Sequence, residues 1–231
     1  MTAVEEFVAR KNQLEQEYFA YFFAELRLTA PIRMIVDIGA HEGNVTRMFH
    51  DAFGEAAIHA IEPDPETYGR LAGGINGQPN VRTHNMGIGA RSGRTRLHRT
   101  AESMCCSFLP PVQKQPAFLK PGLLEPIGTV DVPMMTLAEF CWRESIEVID
   151  LLKTDTQGYE LEVLRGAGDM LQPDRIRGIM VEINFCQQYV GQASAGAILD
   201  MLIGAGYSIF TWRGIHYQRS GRWAWADALL L

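Results

Sequence analysis

Apolar residues between positions 4 and 28 (Val4, Phe7, Val8, Leu14, Tyr18, Tyr21, Phe22) fall mostly at steps of three and four with charges between them. That spacing predicts an amphipathic helix, and Pro31 ends it. Beyond Pro31 short apolar runs alternate with stretches of helical period. They predict strands at 32–38, 57–62 and 80–87, separated by helices at 43–53 and 65–75. A strand at 94–99 follows, then helix 136–143, strand 147–154, helix 158–166, strand 176–183 and helix 194–205. Two strands near 207–213 and 223–230 close the chain without a helix between them. The segment FLPPVQKQPAFLKPGLLEP carries too many prolines for regular structure, so 107–128 reads as a loop over one end of a sheet.

Strands separated by helices imply right-handed crossovers. The expected fold class is therefore α/β, a doubly wound, mostly parallel sheet with an antiparallel finish. Residues 1–30 form a helical extension, able to lid the core or to make a homodimer contact, and 31–231 form one domain.

With 231 residues, 47% of them apolar, the chain can bury a sizeable core. A net charge of −6 argues against a broad nucleic-acid or anionic-membrane surface, so the expected partner is small or neutral. No stretch is long and apolar enough to span a bilayer. The opening MTAVEEFVARK lacks the basic start and apolar core of a secretion signal, making cytoplasmic residence the expectation. Cys105, Cys106, Cys141 and Cys186 show no CxxC spacing and read as reduced thiols.

The candidate chemistry begins at VDIGAHEGNVTRM, where a strand ends in Asp37, bends through Gly39 and Gly43, and becomes a helix. In open α/β sheets ligands bind at the carboxyl ends of the strands. A dinucleotide turn needs GxGxxG and a nucleoside-triphosphate loop needs GxxxxGK; here the spacing is DxGxxxG. Acids beside a glycine turn suit a ligand with an amine, which S-adenosylmethionine (SAM) carries. The next strand, IHAIEPDP, ends in Glu62, placed to accept hydrogen bonds from ribose hydroxyls, with Pro63 beside it. The third ends in Asn85, Met86 and Gly87, placed to meet an adenine edge. Asp37, Gly39, Ala40, His41 and Gly43 complete the expected cofactor contacts.

These residues resemble the FkbM family of SAM-dependent methyltransferases. The family pattern VxDxGAnxGxxt is similar to VDIGAHEGNVT, its EP pair to IEPDP, and its signature LLKxDxQGxExxVLxGA to LLKTDTQGYELEVLRGA. VPMMTLAEF and IMVEIN resemble two further elements, so the likeness covers roughly residues 32–213. It departs at His41, where the family commonly has asparagine, and at Ala90, where it often has an acid. The resemblance implies a class I, Rossmann-like fold and methyl transfer from SAM to a hydroxyl (O-methylation), commonly on a carbohydrate, a glycan or a natural product. Acceptor choice is expected in the N-terminal helix and the proline-rich loop, where the resemblance is poorest.

Methyl transfer needs alignment and a place for the acceptor proton. Asp155 is the expected base, with Lys153 two residues earlier on the same strand face and Glu182 ending the next strand. Asp155 could instead cap the following helix. Asp155, Glu182 and Asn184 could offer oxygens to a divalent metal, although hydrogen bonding without metal is the simpler reading, so no obligatory metal is expected. Arg94, Arg96 and His98 read as a solvated strand face, and Tyr207, Trp212, Trp223 and Trp225 as packing. Two competing readings are an NAD-dependent oxidoreductase, disfavoured by the missing GxGxxG, and a non-catalytic binding module of the same fold.

Overall fold

The structure, a computed structural model, describes residues 31–75, 77–218 and 220–231. The helix expected at 4–28, and any dimer contact through it, lies outside the described residues. In chain order the elements are β1 (Met34–Ile38), α1 (Asn44–Ala52), β2 (Ala57–Ile61), α2 (Pro65–Ile75), β3 (Val81–His84), β4 (Gly87–Ile88), β5 (Gly93–Thr100) and β6 (Pro126–Met135). They continue as α3 (Leu137–Glu144), β7 (Leu151–Thr154), α4 (Glu160–Arg165), β8 (Ile179–Asn184), α5 (Ala195–Gly204), β9 (Ile209–Tyr217) and β10 (Trp223–Leu230).

Seven strands make the main sheet in the order β3-β2-β1-β7-β8-β10-β9. The first five are parallel, and β10 runs antiparallel to both β8 and β9. The doubly wound expectation and its antiparallel finish hold. Successive apolar residues explain the two-sided core, because neighbouring side chains on a strand point to opposite faces. Ile35 packs with Phe49, Ile58 and Met180 on one face, while Val36 and Ile38 pack with Phe140, Leu152 and Leu164 on the other. Tyr207 belongs to this second core and donates its hydroxyl to the Ile176 carbonyl at 2.7 Å. Among the described residues, no helix is long and apolar enough to cross a membrane.

Two expectations need correction. The strand predicted at 80–87 is two strands: after His84 the Asn85 amide donates to the carbonyls of Glu62 and Pro63, and the chain leaves the main sheet. β4 then joins β5 and β6 in a separate three-stranded sheet. β6 itself falls on residues that the pattern left largely unassigned, since Pro126, Gly128 and Pro133 interrupt it. Its alternation survives only in Val132 and Met134, which point into the protein. The proline-rich segment before it is irregular, as expected. It folds back so that Leu119 and Leu124 pack with Cys105 and Tyr189.

Candidate active site

From β1 the chain winds outward through β2 to β3, whereas β7 and β8 add on the opposite side of β1. Strand order therefore reverses between β1 and β7, and the crevice at such a reversal is where open α/β sheets hold ligands. A cavity of about 370 Å³ lies there. Its wall includes Gly39, Ala40 and His41 after β1, Glu62 and Pro63 after β2, Met86 and Gly87 after β3, Lys153 and Asp155 from β7, and Glu182 from β8. Three expected cofactor residues are absent from that wall: Asp37, Gly43 and Asn85.

Asp37 is fully buried beneath the turn. It lies beside Lys153 in the β1–β7 register, and the two charges are 3.2 Å apart. Its Oδ2 accepts from the Thr46 hydroxyl at 2.6 Å; among the described residues Oδ1 has no aligned hydrogen-bond donor, and it faces the ammonium charge itself. The Lys153 ammonium also donates to the Gly39 carbonyl at 2.8 Å. Burial alone would lower the lysine pKa, but the carboxylates of Asp37 and Asp155 more than offset it, and the pKa is raised. Lys153 is thus a fixed cation and offers no lone pair to a proton.

The turn is tied to the end of β2. Gly39 and Ala40 donate their backbone N–H groups to the Ile61 carbonyl, and His41 donates its own to Glu62 Oε2 at 2.9 Å. Gly39 adopts φ 76°, and a Cβ there would stand 1.9 Å from the Asp155 carbonyl oxygen. The glycine is required by the packing of β7 against the turn as well as by backbone conformation. Gly43, at φ 83°, precedes α1 and its missing Cβ leaves room for Leu71. His41 is itself left-handed, at φ 52°, and its Nε2 lies 2.8 Å from the Ser103 hydroxyl. Burial holds its pKa below the usual histidine range.

Glu62 accepts from Asp64 N through Oε1 and from His41 N through Oε2, each at 2.9 Å. Burial raises its pKa to about 7 despite these two donors. Arg99 stays outside the cavity, paired with Asp64 at 2.8 Å. Arg94 donates to the Asp131 carbonyl on the adjoining strand, a surface contact of the kind expected for that face.

Beyond β7 the chain carries Asp155, Thr156, Gln157 and Gly158 into α4. Asp155 does not cap that helix, because Tyr159 occupies the N-cap position. Instead, Glu160 folds back and its Oε1 accepts from the backbone of Thr156 and Gly158 at 2.8 and 3.1 Å. Asp155 faces the cavity, 36% exposed, with Oδ2 3.6 Å from Lys153 Nζ. Gln157 links the acids: its Nε2 donates to Asp155 Oδ1 at 2.8 Å and to Glu182 Oε2 at 3.3 Å. Asn184 donates to the same Glu182 oxygen at 3.2 Å, while its own carboxamide oxygen accepts from Gln188. Burial and the nearby carboxylates of Asp155, Glu160 and Asp227 push the Glu182 carboxyl well up. The cluster can therefore hold a proton next to an open carboxylate.

A family model, the methyltransferase FkbM domain, matches residues 37–209 of this chain. The chain belongs to the FkbM methyltransferase family. Its curated relatives include 2-O-methyltransferase NoeI of Sinorhizobium fredii, 27% identical over 179 residues that cover 76% of this chain and 73% of the relative. Methyltransferase 1 of Beauveria bassiana is 25% identical over 183 residues, 72% of this chain and 70% of that one. Among solved structures, methyltransferase FkbM from Methylobacillus flagellatus superposes with a TM-score of 0.51 at 15% identity. That match covers 86% of this chain but 44% of the other, so this chain spans less than half the length of that protein. The FkbM protein described here is a SAM-dependent methyltransferase with a class I, Rossmann-like fold, and the oxidoreductase reading falls.

Sequence reasoning missed part of this FkbM site. Ser103 to Phe108, Leu119, Leu123, Gln188 and Trp225 also line the cavity. The proline-rich loop and the adjacent Cys105 and Cys106 are the local signals of such a wall, and no pattern identifies its other members. Trp225, read as packing, reaches the cavity and stacks on His216. Gln157 stands within the signature LLKTDTQGYELEVLRGA, but its place between two carboxylates depends on β8 and cannot be read from β7 alone.

Proposed function

We propose that this methyltransferase transfers the SAM methyl group to a hydroxyl of an uncharged acceptor, a sugar, glycan or related natural product. The observation that carries the reading is Asp155, a half-exposed carboxylate at the strand-order reversal, oriented by Gln157 and Lys153. The cavity's acids, Glu62, Asp155 and Glu182, face a lysine already committed to two carboxylates. Such a lining favours the cationic sulfonium and disfavours phosphate or carboxylate on the acceptor near the reacting atoms.

The residues present fit SAM. Glu62 is a buried carboxyl with two backbone donors and room at each oxygen for another hydrogen bond, which ribose hydroxyls supply. Met86, Gly87 and Ile88 give an apolar wall for the adenine, and the turn at Gly39 to His41 flanks the methionine end. When bound, SAM supplies a methyl carbon already activated by its sulfonium. The chain then has two tasks: to align the acceptor oxygen and to receive its proton. Asp155 accepts the acceptor O–H and takes the proton, while Lys153 and Gln157 fix the carboxylate. Glu182, its carboxyl pushed well up by burial and the neighbouring carboxylates, lies behind Gln157 as a further hydrogen-bonding group. Met104, Leu119, Leu123 and Trp225 supply an apolar wall that contacts the acceptor's carbon skeleton.

The test is incubation with methyl-labelled SAM and a panel of neutral glycosides, matched uronates and matched amines. Methyl ether formation on neutral hydroxyls supports the reading. Transfer only to amines or only to anionic acceptors overturns it.

A further inference from the structure

A second group of chemistry-bearing side chains sits away from the reaction cavity. His59 on β2 and His84 on β3 point to the same face of the sheet, because His84 pairs with Ile61 and Ile61 lies two residues beyond His59. Their facing nitrogens, His59 Nδ1 and His84 Nε2, are 3.0 Å apart. The ring planes differ by 8° and the centroids are 5.2 Å apart, so the rings meet end to end and do not overlap. Phe140 on α3 sets its ring at right angles to both, 5.6 and 5.0 Å away, and fixes their planes. One helical turn later Glu144 brings its carboxylate to the same face. One ligand atom from each of His59, His84 and Glu144 lies within 4.8 Å of the others.

Two neutral imidazoles whose nitrogens face each other at this distance share one proton. Burial pushes both rings below the usual histidine range, His59 to about 4. Moving the shared proton to the far nitrogen of its own ring leaves two lone pairs aimed at the gap, with no change in charge. We propose that His59, His84 and Glu144 bind a divalent transition cation of the zinc type, joining α3 to the β2–β3 edge. Imidazole nitrogens with one carboxylate select such a cation over magnesium or calcium, and three protein ligands leave one position for water. Zinc–nitrogen bonds of about 2.0–2.1 Å place two ligating nitrogens of a tetrahedral site about 3.4 Å apart, so the facing nitrogens separate by a few tenths of an ångström and each ring tilts within its plane to aim its lone pair at the ion.

The competing charges are two arginines. Arg82 lies 3.6 Å from one Glu144 oxygen and Arg143 lies 4.0 Å from the other. Both guanidinium groups are exposed and can turn to solvent when the cation takes the carboxylate. A cavity of about 330 Å³, lined by His84, Phe140, Arg143 and Glu144, gives the ion a way in.

The experiment is titration of the chelator-stripped full-length chain with Co²⁺, followed by visible absorption, and with Zn²⁺ by calorimetry. One equivalent with a tetrahedral cobalt spectrum is the expected result. Changes to outer-shell partners already cost about 10–100-fold in metal affinity, so His84→Gln, which removes a direct ligand, should weaken binding by at least about 100-fold. Retained SAM binding by that variant would show that it is folded. Glu144→Gln gives a second reading at a partly exposed position, in case the change at His84 disturbs the core. No cobalt uptake by the unaltered chain overturns the proposal. So does uptake that survives in both variants, or uptake lost in Asp155→Asn and kept in His84→Gln, which would put the ion in the reaction cavity.

Discussion

The turn after β1 and the loop after β7 meet where Gly39 stands against the Asp155 carbonyl, yet their charges are arranged in opposite ways. In the turn Asp37 is paired with Lys153 and accepts from the Thr46 hydroxyl, and the N–H groups of Gly39, Ala40 and His41 all have partners within the chain. Around the loop Asp155, Glu160 at the start of α4 and Glu182 from β8 crowd together, with one lysine at the edge and one glutamine amide between two of them. The first arrangement makes a rigid platform whose geometry does not depend on a ligand. The second pushes the Glu182 carboxyl well up beside the open carboxylate of Asp155, which costs stability and supplies a proton-handling group. Residues of the platform should therefore matter first for folding, and residues of the loop first for turnover.

The hardest way to break the platform is Gly39→Ala. The added Cβ falls 1.9 Å from the Asp155 carbonyl oxygen and forces a left-handed alanine, so both the turn and β7 must move. The expected loss is at least about 4 kcal/mol, in the range that marks a strained core defect, measured as a drop in urea midpoint or as failure to accumulate folded protein. Near-normal stability would show that the turn is far more compliant than its internal hydrogen bonds imply. On the loop side, Asp155→Asn keeps the shape and removes the base. Turnover should fall about 10²–10⁴-fold while SAM affinity, read by calorimetry, changes little. A fully active variant would remove Asp155 from the proton path.

The same contrast explains which parts were legible in the sequence. β1, α1 and β2 announce themselves because Ile35, Val36 and Ile38 are buried on both faces and the helix repeats at its own period. Glu62 and Asp155 were placed because an acid at the end of a parallel strand has few places to go. What escaped depends on contacts between distant segments. Asn85 stands where an adenine contact was expected, yet its amide is turned to the carbonyls of Glu62 and Pro63. β6 was hidden because its outward residues meet solvent and its prolines mimic a loop. Gln157 and Tyr189 are joined through the Tyr189 hydroxyl at 3.1 Å, across 32 positions of chain that no local pattern spans.

Glu62 lies between the two regions and sharpens the comparison. It braces the platform through His41 and Asp64 while presenting its carboxyl to the cavity. Glu62→Ala should weaken SAM binding about 10–100-fold, the worth of one or two hydrogen bonds to a charged group, with the fold retained. Glu62→Gln keeps one acceptor oxygen and should fall between the variant and the unaltered protein. Unchanged affinity in both would detach Glu62 from the ribose.

The smallest expected effect is a slope of stability with pH. Burial raises the carboxyls of Glu62 and Glu160 from 4.5 to about 7 in the folded protein. Between those values the folded chain holds protons that the unfolded chain has released, so stability must fall as pH rises. The contribution is complete below about pH 4.5 and is lost as pH rises through about 7. Glu160→Gln isolates the loop's share, since a carboxamide oxygen can still accept from Thr156 and Gly158 without ionising. Urea unfolding at pH 5 and pH 8 should show the unaltered protein losing more stability than the variant, by on the order of 1–3 kcal/mol. Equal losses in the two proteins would mean that Glu160 ionises as easily in the fold as outside it, and the loop would then be no more strained by charge than the turn.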